Sequence, residues 1–188
     1  MKRHDKTPSL MMKEADINTM ISSLAALLLK DRRAFEQAAK RDSALLSLSD
    51  LSCLKSRFHD APKVPSGVDE GQLGLGQWMA VCQYVIFELL YHVQELSLPL
   101  VKEVAFGAYD WTQATALEVL CRWHVDGTLP KSIITEINRK IGDMRYETHL
   151  YFGRSLLLRK KDDHRFGDIL LEIENESFQE AVKELSGD

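Results

Sequence analysis

Two side chains with metal-binding chemistry, Cys121 and His124, lie three residues apart in a stretch with a helical pattern. That spacing places a thiolate and an imidazole on the same side of a helix. A structural zinc ion takes four ligands, usually from two such pairs, and the sequence has no second pair. Cys82 and His92 are ten residues apart and complete no recognisable pattern. We therefore expect a buried thiol and a histidine at a helix end, and no bound metal.

Three glycines before a predicted helix, Gly71, Gly74 and Gly76, could place backbone amides around a phosphate group. Known phosphate-binding loops follow a strand, and the nucleoside triphosphate type ends in Gly-Lys-Ser or Gly-Lys-Thr. This sequence has neither feature at that place. We expect a flexible linker here, and no nucleotide or other cofactor.

Catalytic motifs are missing from the chain. It contains no Gly-x-Ser-x-Gly and no His-Glu-x-x-His, and its six histidines are scattered. The carboxylate pairs Glu172/Glu174 and Asp162/Asp163 lie in segments that look solvated. Glycoside hydrolysis would need two carboxylates facing each other across a pocket. We therefore predict no catalytic residues and a protein that is not an enzyme.

Bulk composition limits the class of protein. The chain has 188 residues, a net charge of −4, and three widely spaced cysteines. An odd number of cysteines favours free thiols in a reducing compartment. The longest apolar run near the N-terminus has six residues, whereas a membrane span needs about 20. We predict a cytoplasmic protein that does not bind membranes; its acidity makes nucleic acid an unfavourable partner and a basic protein a favourable one.

Helical periodicity dominates the sequence. In the N-terminal part, Ile17, Met20 and Leu24 recur at spacings of three and four residues, which is typical of an amphipathic helix capped by Asp16. Two stretches with high β-propensity, residues 84–87 and 132–135, lie inside longer helical patterns. We therefore predict an all-α fold with almost no sheet.

The chain divides by composition into four parts. Residues 1–9 are polar, and we expect them to be disordered. Residues 10–58 are predicted to form an N-terminal helical cap. Residues 59–76 contain six prolines and glycines, which indicates a loop or hinge. Residues 77–188 are predicted to form a helical-repeat region, so that the whole makes one compact domain.

A repeat is visible in this last region. Trp78, Trp111 and Tyr146 each open a helical pattern, at intervals of 33 and 35 residues, and Leu-Pro occurs between them at 98–99 and 129–130. A period in the thirties with two helices per unit predicts a short α-helical solenoid. Because Trp78 and Trp111 recur in register, we expect both to be buried.

These aromatic and Leu-Pro positions resemble HEAT-type and armadillo-type helical repeats, although the period here is shorter than the forty or so residues common in those families. The resemblance implies a curved stack whose shorter helices line one face, and it implies no reaction. In size, acidity and helical architecture the chain is also similar to some immunity proteins of bacterial toxin systems. This second likeness is one of type only.

Together these features predict a protein-binding module that occludes a partner protein, with an immunity protein that neutralises a basic toxin domain as the specific form. Surface candidates are outward positions of the shorter helices, a tyrosine in a turn, and carboxylates near the acidic C-terminal end that would steer a basic partner. The partner-binding residues we predict are Lys102, Glu103, Tyr109, Glu136, Arg139, Lys140, Glu172 and Glu176.

Two alternatives remain open at this point. The first is a nucleic-acid-binding protein or enzyme similar in architecture to the HEAT-like DNA glycosylases, which present a basic concave face. It would require Arg139, Lys140, Arg154 and Arg159 on one surface. The second is a scaffold subunit of a larger complex.

Overall fold

The structure is a computed structural model that describes residues 12–69, 73 and 75–187. Within these residues the regular structure is helical and no strand occurs, which confirms the all-α prediction. Residues 84–87 and 132–135 both lie inside helices. The helices are α1 (Glu14–Leu28), α2 (Arg32–Ser43), a 3₁₀ turn (Leu48–Asp50), α3 (Leu51–Ser56), α4 (Leu75–His92), α5 (Gln94–Phe106), α6 (Gln113–Val125), α7 (Ser132–Ile141), α8 (Tyr146–Lys160), α9 (Arg165–Glu172) and α10 (Glu176–Ser186).

Contacts between helices divide the chain into two compact units, Met1–Ser97 and Leu98–Asp188. The division falls inside α5, later than the loop at 59–76, because α4 packs against α1 and α2. This division does not test the predicted cap (10–58), loop (59–76) and repeat region (77–188), which remain predictions. The predicted disorder of residues 1–9 lies outside the described residues.

The first unit is built on the apolar faces of α1, α2 and α4. Ile17 and Ile21 of α1 are fully buried, as is Phe35 of α2. The cap prediction for α1 is wrong by three residues, because Lys13 is the N-cap, α1 begins at Glu14 and Asp16 lies in its first turn. Helix α2 does have a side-chain cap, because the carboxylate of Asp31 accepts a hydrogen bond from Ala34 N at 3.0 Å.

The start of the Pro/Gly-rich segment is attached to α4. Trp78 Nε1 donates to the carbonyl of Pro62 at 2.7 Å, and Gln83 Nε2 donates to the carbonyl of Phe58 at 2.6 Å. The ring of Phe58 also stacks on Phe87, with centroids 5.0 Å apart. These bonds satisfy loop carbonyls that burial would otherwise leave without water.

Pro99 is the sixth residue of α5, so the first of the two Leu-Pro positions lies inside a helix and does not open a new one. A proline there removes the hydrogen bond to the carbonyl of Glu95. Both residues are exposed, so water can reach that carbonyl. The second Leu-Pro does precede a helix, because Pro130 lies two residues before α7.

The second unit is centred on α6 and α8. Helix α8 contacts α6, α9 and α10, and α7 contacts α6 and α9. Trp123 and Leu117 of α6 and Phe152 of α8 are buried at the centre. Gln113, at the start of α6, is also buried, and its Oε1 accepts from Thr148 Oγ1 at 2.9 Å. This packing fixes the ends of α5, α6, α7 and α8, where the candidate site lies.

Candidate protein-binding surface

Trp78 and Trp111 have different environments, although the sequence suggested that they are equivalent. Trp78 is 4% exposed, as predicted, whereas Trp111 is 64% exposed, so the prediction for Trp111 is wrong. Helix α6 begins at Gln113 rather than at Trp111. The carboxylate of Asp110 accepts from Thr112 N at 2.8 Å and Thr112 Oγ1 at 2.6 Å, and it is Thr112 that is buried. The tryptophan is therefore left in an exposed turn.

The exposed indole belongs to a row of rings. The centroid of Trp111 lies 6.1 Å from that of Tyr109 and 6.3 Å from that of Tyr151, with interplanar angles of 59° in both pairs. The guanidinium carbon of Arg145 lies 4.3 Å from the centroid of Tyr109, within the range of a cation–π interaction. We call Tyr109, Trp111, Arg145 and Tyr151 the ring surface.

The ring surface combines two parts of the second unit. Tyr109 and Trp111 come from the segment between α5 and α6, Arg145 precedes α8, and Tyr151 lies on α8. Tyr151 is half exposed at 50%, and the exposed face of α8 continues through Arg154 to Leu158. The spacings of three and four residues place these side chains along one side of the helix.

Three of the predicted surface residues lie around one ring, Phe106 of α5. Lys102 Nζ forms an ion pair with Glu136 Oε2 at 2.7 Å and lies 5.9 Å from the Phe106 centroid. Lys140 Nζ lies 5.1 Å from the same centroid. The structure thus brings Lys102, Glu136 and Lys140 together from α5 and α7. Phe106 was not singled out in the sequence, although it follows Lys102 by four residues on the same helix.

A cavity of about 270 Å³ is lined by Phe106 and by Tyr109 and Arg145 of the ring surface. We call it the Phe106 cavity. Its lining includes a buried amide, a phenol, two cations and one carboxylate from four helix ends. The lining residues that matter below are Phe106, Tyr109, Gln113, Lys140, Asp143 and Arg145. Tyr109 and Arg145 belong to the cavity and to the ring surface, so the two features are continuous.

The tyrosines of this region keep their protons at neutral pH. Partial burial raises the pKa of Tyr109, and the carboxylate of Glu147 raises it further. The pKa of Tyr146 is raised by its hydrogen bond to Glu184, whose carboxylate accepts from the phenol at 2.7 Å. The Tyr109 hydroxyl therefore remains a hydrogen-bond donor in a residue that lines the cavity.

The other predicted surface residues lie elsewhere on the helices. Glu103 is exposed on α5 and Arg139 is exposed on α7. Glu172 forms an ion pair with Lys131 at 2.9 Å, and Glu176 is exposed in the first turn of α10. None of these four side chains belongs to the ring surface or to the lining of the Phe106 cavity.

The alternative of a basic nucleic-acid surface required Arg159 as one of four free cations. Arg159 instead donates from Nε to Glu118 Oε1 at 2.8 Å. Glu118 is buried, so the charge of Arg159 is neutralised by a carboxylate of the protein itself. Arg154 is exposed on the same helix.

In the described part of the chain no three His, Cys, Asp or Glu side chains lie close enough together to hold a metal ion. Cys121 is fully buried, and His124 Nδ1 lies 3.1 Å from the carbonyl of Leu129 in the turn after α6. No helix in the described ranges is long and apolar enough to cross a bilayer.

Comparison with protein-family models, curated proteins and solved structures finds no match to this chain. Its function is therefore inferred from its own surface chemistry.

Proposed function

We propose that the chain is a non-enzymatic protein-binding module and that the ring surface is the centre of its contact with a partner protein. The observation that carries this proposal is the exposure of Trp111 between two tyrosine rings. Tryptophan, tyrosine and arginine are the residues that most often dominate the free energy of protein association. All three types are present in this one surface.

The arrangement of the rings favours tight binding. Aromatic side chains supply a large contact area and have only two rotatable bonds to order. Trp111 and Arg145 are already held by contacts with Tyr109 and Tyr151 in the free chain. Preorganised side chains lose less conformational entropy when a partner binds. The exposed polar residues along α8, such as Arg154, would form the rim of the interface.

Helix contacts in Leu98–Asp188 support a short stack of helical pairs similar to HEAT repeats. Helix α6 contacts α7, α8 and α9, α7 contacts α9, and α8 contacts α9 and α10. Most of these contacts join a helix to the next one or the next but one, which is the pattern expected when helical pairs are stacked. The contact between α6 and α9 reaches three helices along the chain.

In its specific form, the proposal is that the chain occludes and neutralises a basic toxin as an immunity protein. The net charge of −4 supports a basic partner. Carboxylates exposed on α9 and α10 would attract such a partner and raise its association rate. They include Asp168 of α9 and Glu176 and Glu180 of α10. Added salt should then lower the association rate more than it raises the dissociation rate.

The decisive experiment measures the affinity of a purified partner for variants of the ring surface. The partner is first captured from the native host with the tagged wild-type chain, identified by mass spectrometry and purified. Trp111→Ala should weaken binding by about 2 kcal/mol, or roughly 30-fold. The matched control is Leu171→Ala, because Leu171 is 79% exposed on α9 and lies outside the ring surface.

Two results would contradict the proposal. One is equal affinity of the wild-type chain and Trp111→Ala for the captured partner; the other is a chain that captures no protein. The immunity form has its own test, in which expression of the partner arrests a bacterial culture. Wild-type chain should restore growth and Trp111→Ala should not. If expression of the partner alone leaves growth normal, the chain is a binding module whose partner is not a toxin.

A further inference from the structure

Two cations converge on the Phe106 cavity without a carboxylate partner. Lys140 faces the ring of Phe106, and Arg145 faces the ring of Tyr109. Within residues 12–69, 73 and 75–187, neither cation forms an ion pair. Other cations of the second unit do form ion pairs, among them Lys102 with Glu136 and Arg159 with Glu118.

The side chains that line the cavity carry a net charge of +1, and the carboxylates of Glu147 and Asp110 lie near Tyr109 outside the lining. Lys140 and Arg145 contribute two positive charges, and Asp143 contributes one negative charge. Asp143 lines the same space but does not come within ion-pair distance of either cation in the described part of the chain. The cavity therefore retains a charge that one monovalent anion would balance.

Neutral donors add to this preference. Tyr109 lines the cavity, and its hydroxyl stays protonated at neutral pH. Arg145 is also the residue before α8, and its side chain does not cap that helix. The positive end of the α8 dipole therefore lies beside the cavity and adds to the attraction of the two cations for an anion.

We infer that the Phe106 cavity receives one carboxylate, the side chain of an aspartate or glutamate on the protein partner. This inference rests on the proposed function, since it identifies the chemistry of the residue that lies beside the ring surface in the complex. The guanidinium of Arg145 can donate two parallel hydrogen bonds to a carboxylate, and Lys140 can donate a third.

Charge favours a carboxylate over a phosphate, and size favours a single side chain over a whole small molecule. A carboxylate carries one negative charge, which matches the net charge of the lining, whereas a phosphate monoester carries nearly two at neutral pH. The volume of about 270 Å³ lies just below the range of about 300–1,000 Å³ typical of clefts that enclose whole small molecules. A single side chain suits a space of this size.

The rings hold the cations in place before binding. Lys140 over Phe106 and Arg145 over Tyr109 are restricted by cation–π contacts, so less rotamer freedom is lost when the carboxylate enters. Continuity with the ring surface through Tyr109 and Arg145 places this carboxylate next to the part of the partner that covers Trp111.

The test uses the full chain, labelled with nitrogen-15, and the probe N-acetyl-glutamate α-amide, which carries one carboxylate. N-acetyl-glutamine α-amide is the neutral isostere. We expect the acidic probe to shift the amide signals of Gly107, Lys140 and Arg145 in a saturable manner, and the neutral probe to leave them in place. Inorganic phosphate forms a separate arm and should bind more weakly than the acidic probe.

Variants of the lining should change binding of the acidic probe in opposite directions. Lys140→Met keeps an aliphatic chain against Phe106 but removes the charge, and it should weaken binding about tenfold. Asp143→Asn removes the opposing carboxylate and should strengthen binding about tenfold. Arg154→Gln is the matched control, since Arg154 is an exposed cation outside the lining, and it should bind as the wild type does.

The inference is overturned by equal shifts with the neutral and acidic probes, by phosphate binding more tightly than the acidic probe, or by Lys140→Met and Asp143→Asn behaving like the wild type.

Failure of this inference can be distinguished from failure of the proposed function. Trp111 does not line the cavity, so Trp111→Ala should bind the protein partner about 30-fold more weakly and bind the acidic probe as the wild type does. If the chain binds the partner but not the acidic probe, the proposal of a protein-binding module stands and the proposal of a carboxylate site is rejected.

Discussion

Arg159 on α8 is joined to Glu118 on α6 by a hydrogen-bonded ion pair, with 2.8 Å between Nε and Oε1. The Glu118 side chain is 8% exposed and that of Arg159 is 21% exposed. In a site with so little water, each charge depends on the other for its stabilisation. The pair links two of the helices that form the centre of the second unit.

Replacing Arg159 by methionine should therefore destabilise the protein. The buried carboxylate of Glu118 would lose its cation, and we expect the free energy of unfolding to fall by about 2–3 kcal/mol, as measured by urea denaturation. Arg154→Met, a loss of an exposed cation on the same helix, should change it by less than about 0.5 kcal/mol. The double variant Glu118→Gln/Arg159→Met should recover part of the loss. Equal stability of the two single variants would contradict this role.

Trp123 is the most buried tryptophan of the described residues and Trp111 the most exposed, so the two should affect stability differently when replaced. Trp123 is 2% exposed in the core of the second unit, whereas Trp111 is 64% exposed. We expect Trp123→Ala to lower the free energy of unfolding by about 3–5 kcal/mol, because it leaves a cavity. Trp111→Ala should change it by less than about 0.5 kcal/mol. Denaturant titrations followed by circular dichroism would measure both. A large loss of stability in Trp111→Ala would show that the indole supports the fold.

Gly153 allows α10 to lie close to α8. A Cβ atom at this position would come within 3.1 Å of Val182 Cγ2. Gly153→Leu should therefore overpack the contact and lower the free energy of unfolding by about 1–3 kcal/mol, seen as a lower melting temperature. Arg154→Leu places the same side chain on the exposed face one residue later and should leave the melting temperature nearly unchanged. Equal melting temperatures for these two variants would contradict the close approach.

Much of the helical content could be predicted because apolar spacing is a local property. Ile17 and Ile21 lie on one side of a helix whatever that helix packs against. The exposure of Trp111 could not be predicted in the same way. Its position depends on whether the helix begins at Trp111 or at Gln113, and the bonds from Thr112 to Asp110 favour the later start. Periodicity of aromatic residues does not distinguish these cases.

The candidate site was predicted in part. Lys102, Glu136 and Lys140 were identified as outward-facing charges from their helical positions, and the structure brings them together. Arg145 was missed, because its contact with Tyr109 joins residues 36 positions apart and depends on how α5 and α7 end. Such a cavity arises from tertiary packing, which the spacing of residues along the chain does not encode.

The three free cysteines should differ in reactivity. Burial raises the pKa of Cys82 to about 12 from an ordinary value of 9.0, and it raises the pKa of Cys121 well above that value. A rise of this size lowers the thiolate population of Cys82 about a thousandfold at mildly alkaline pH. Burial also raises the pKa of Cys53, with partial opposition from Arg57, but Cys53 is partly exposed.

A thiol reagent such as Ellman's reagent should therefore label Cys53 of the native protein first. Cys82 and Cys121 should react at least about 100-fold more slowly, and in urea all three should react at similar rates. Peptide mapping after limited labelling would identify the sites. Rapid native labelling of Cys121 would contradict its burial.

Asp163 and Arg165 form a two-pronged ion pair at the start of α9, whose first residue is Arg165. Arg165 Nη2 donates to Asp163 Oδ2 at 2.6 Å, and Arg165 Nε donates to Oδ1 at 3.0 Å. The backbone N–H of Arg165 donates to the same carboxylate at 3.0 Å. The side-chain hydrogen bond from Arg165, followed by this backbone bond, lowers the pKa of Asp163 below its ordinary value of 3.8.

A carboxylate whose pKa is lower in the folded chain stabilises the fold fully above its ordinary pKa. That contribution is lost as the pH falls through the lower, folded value. We expect it to be small, because the pair is partly exposed to water and salt. The carboxyl carbon-13 signal of Asp163 should titrate with a midpoint below 3.8, and Arg165→Gln should move that midpoint upward. Arg154→Gln, which removes a cation with no contact to Asp163, should leave it in place. A midpoint at or above the ordinary value in the wild-type chain would mean that the two-pronged pair does not persist in solution.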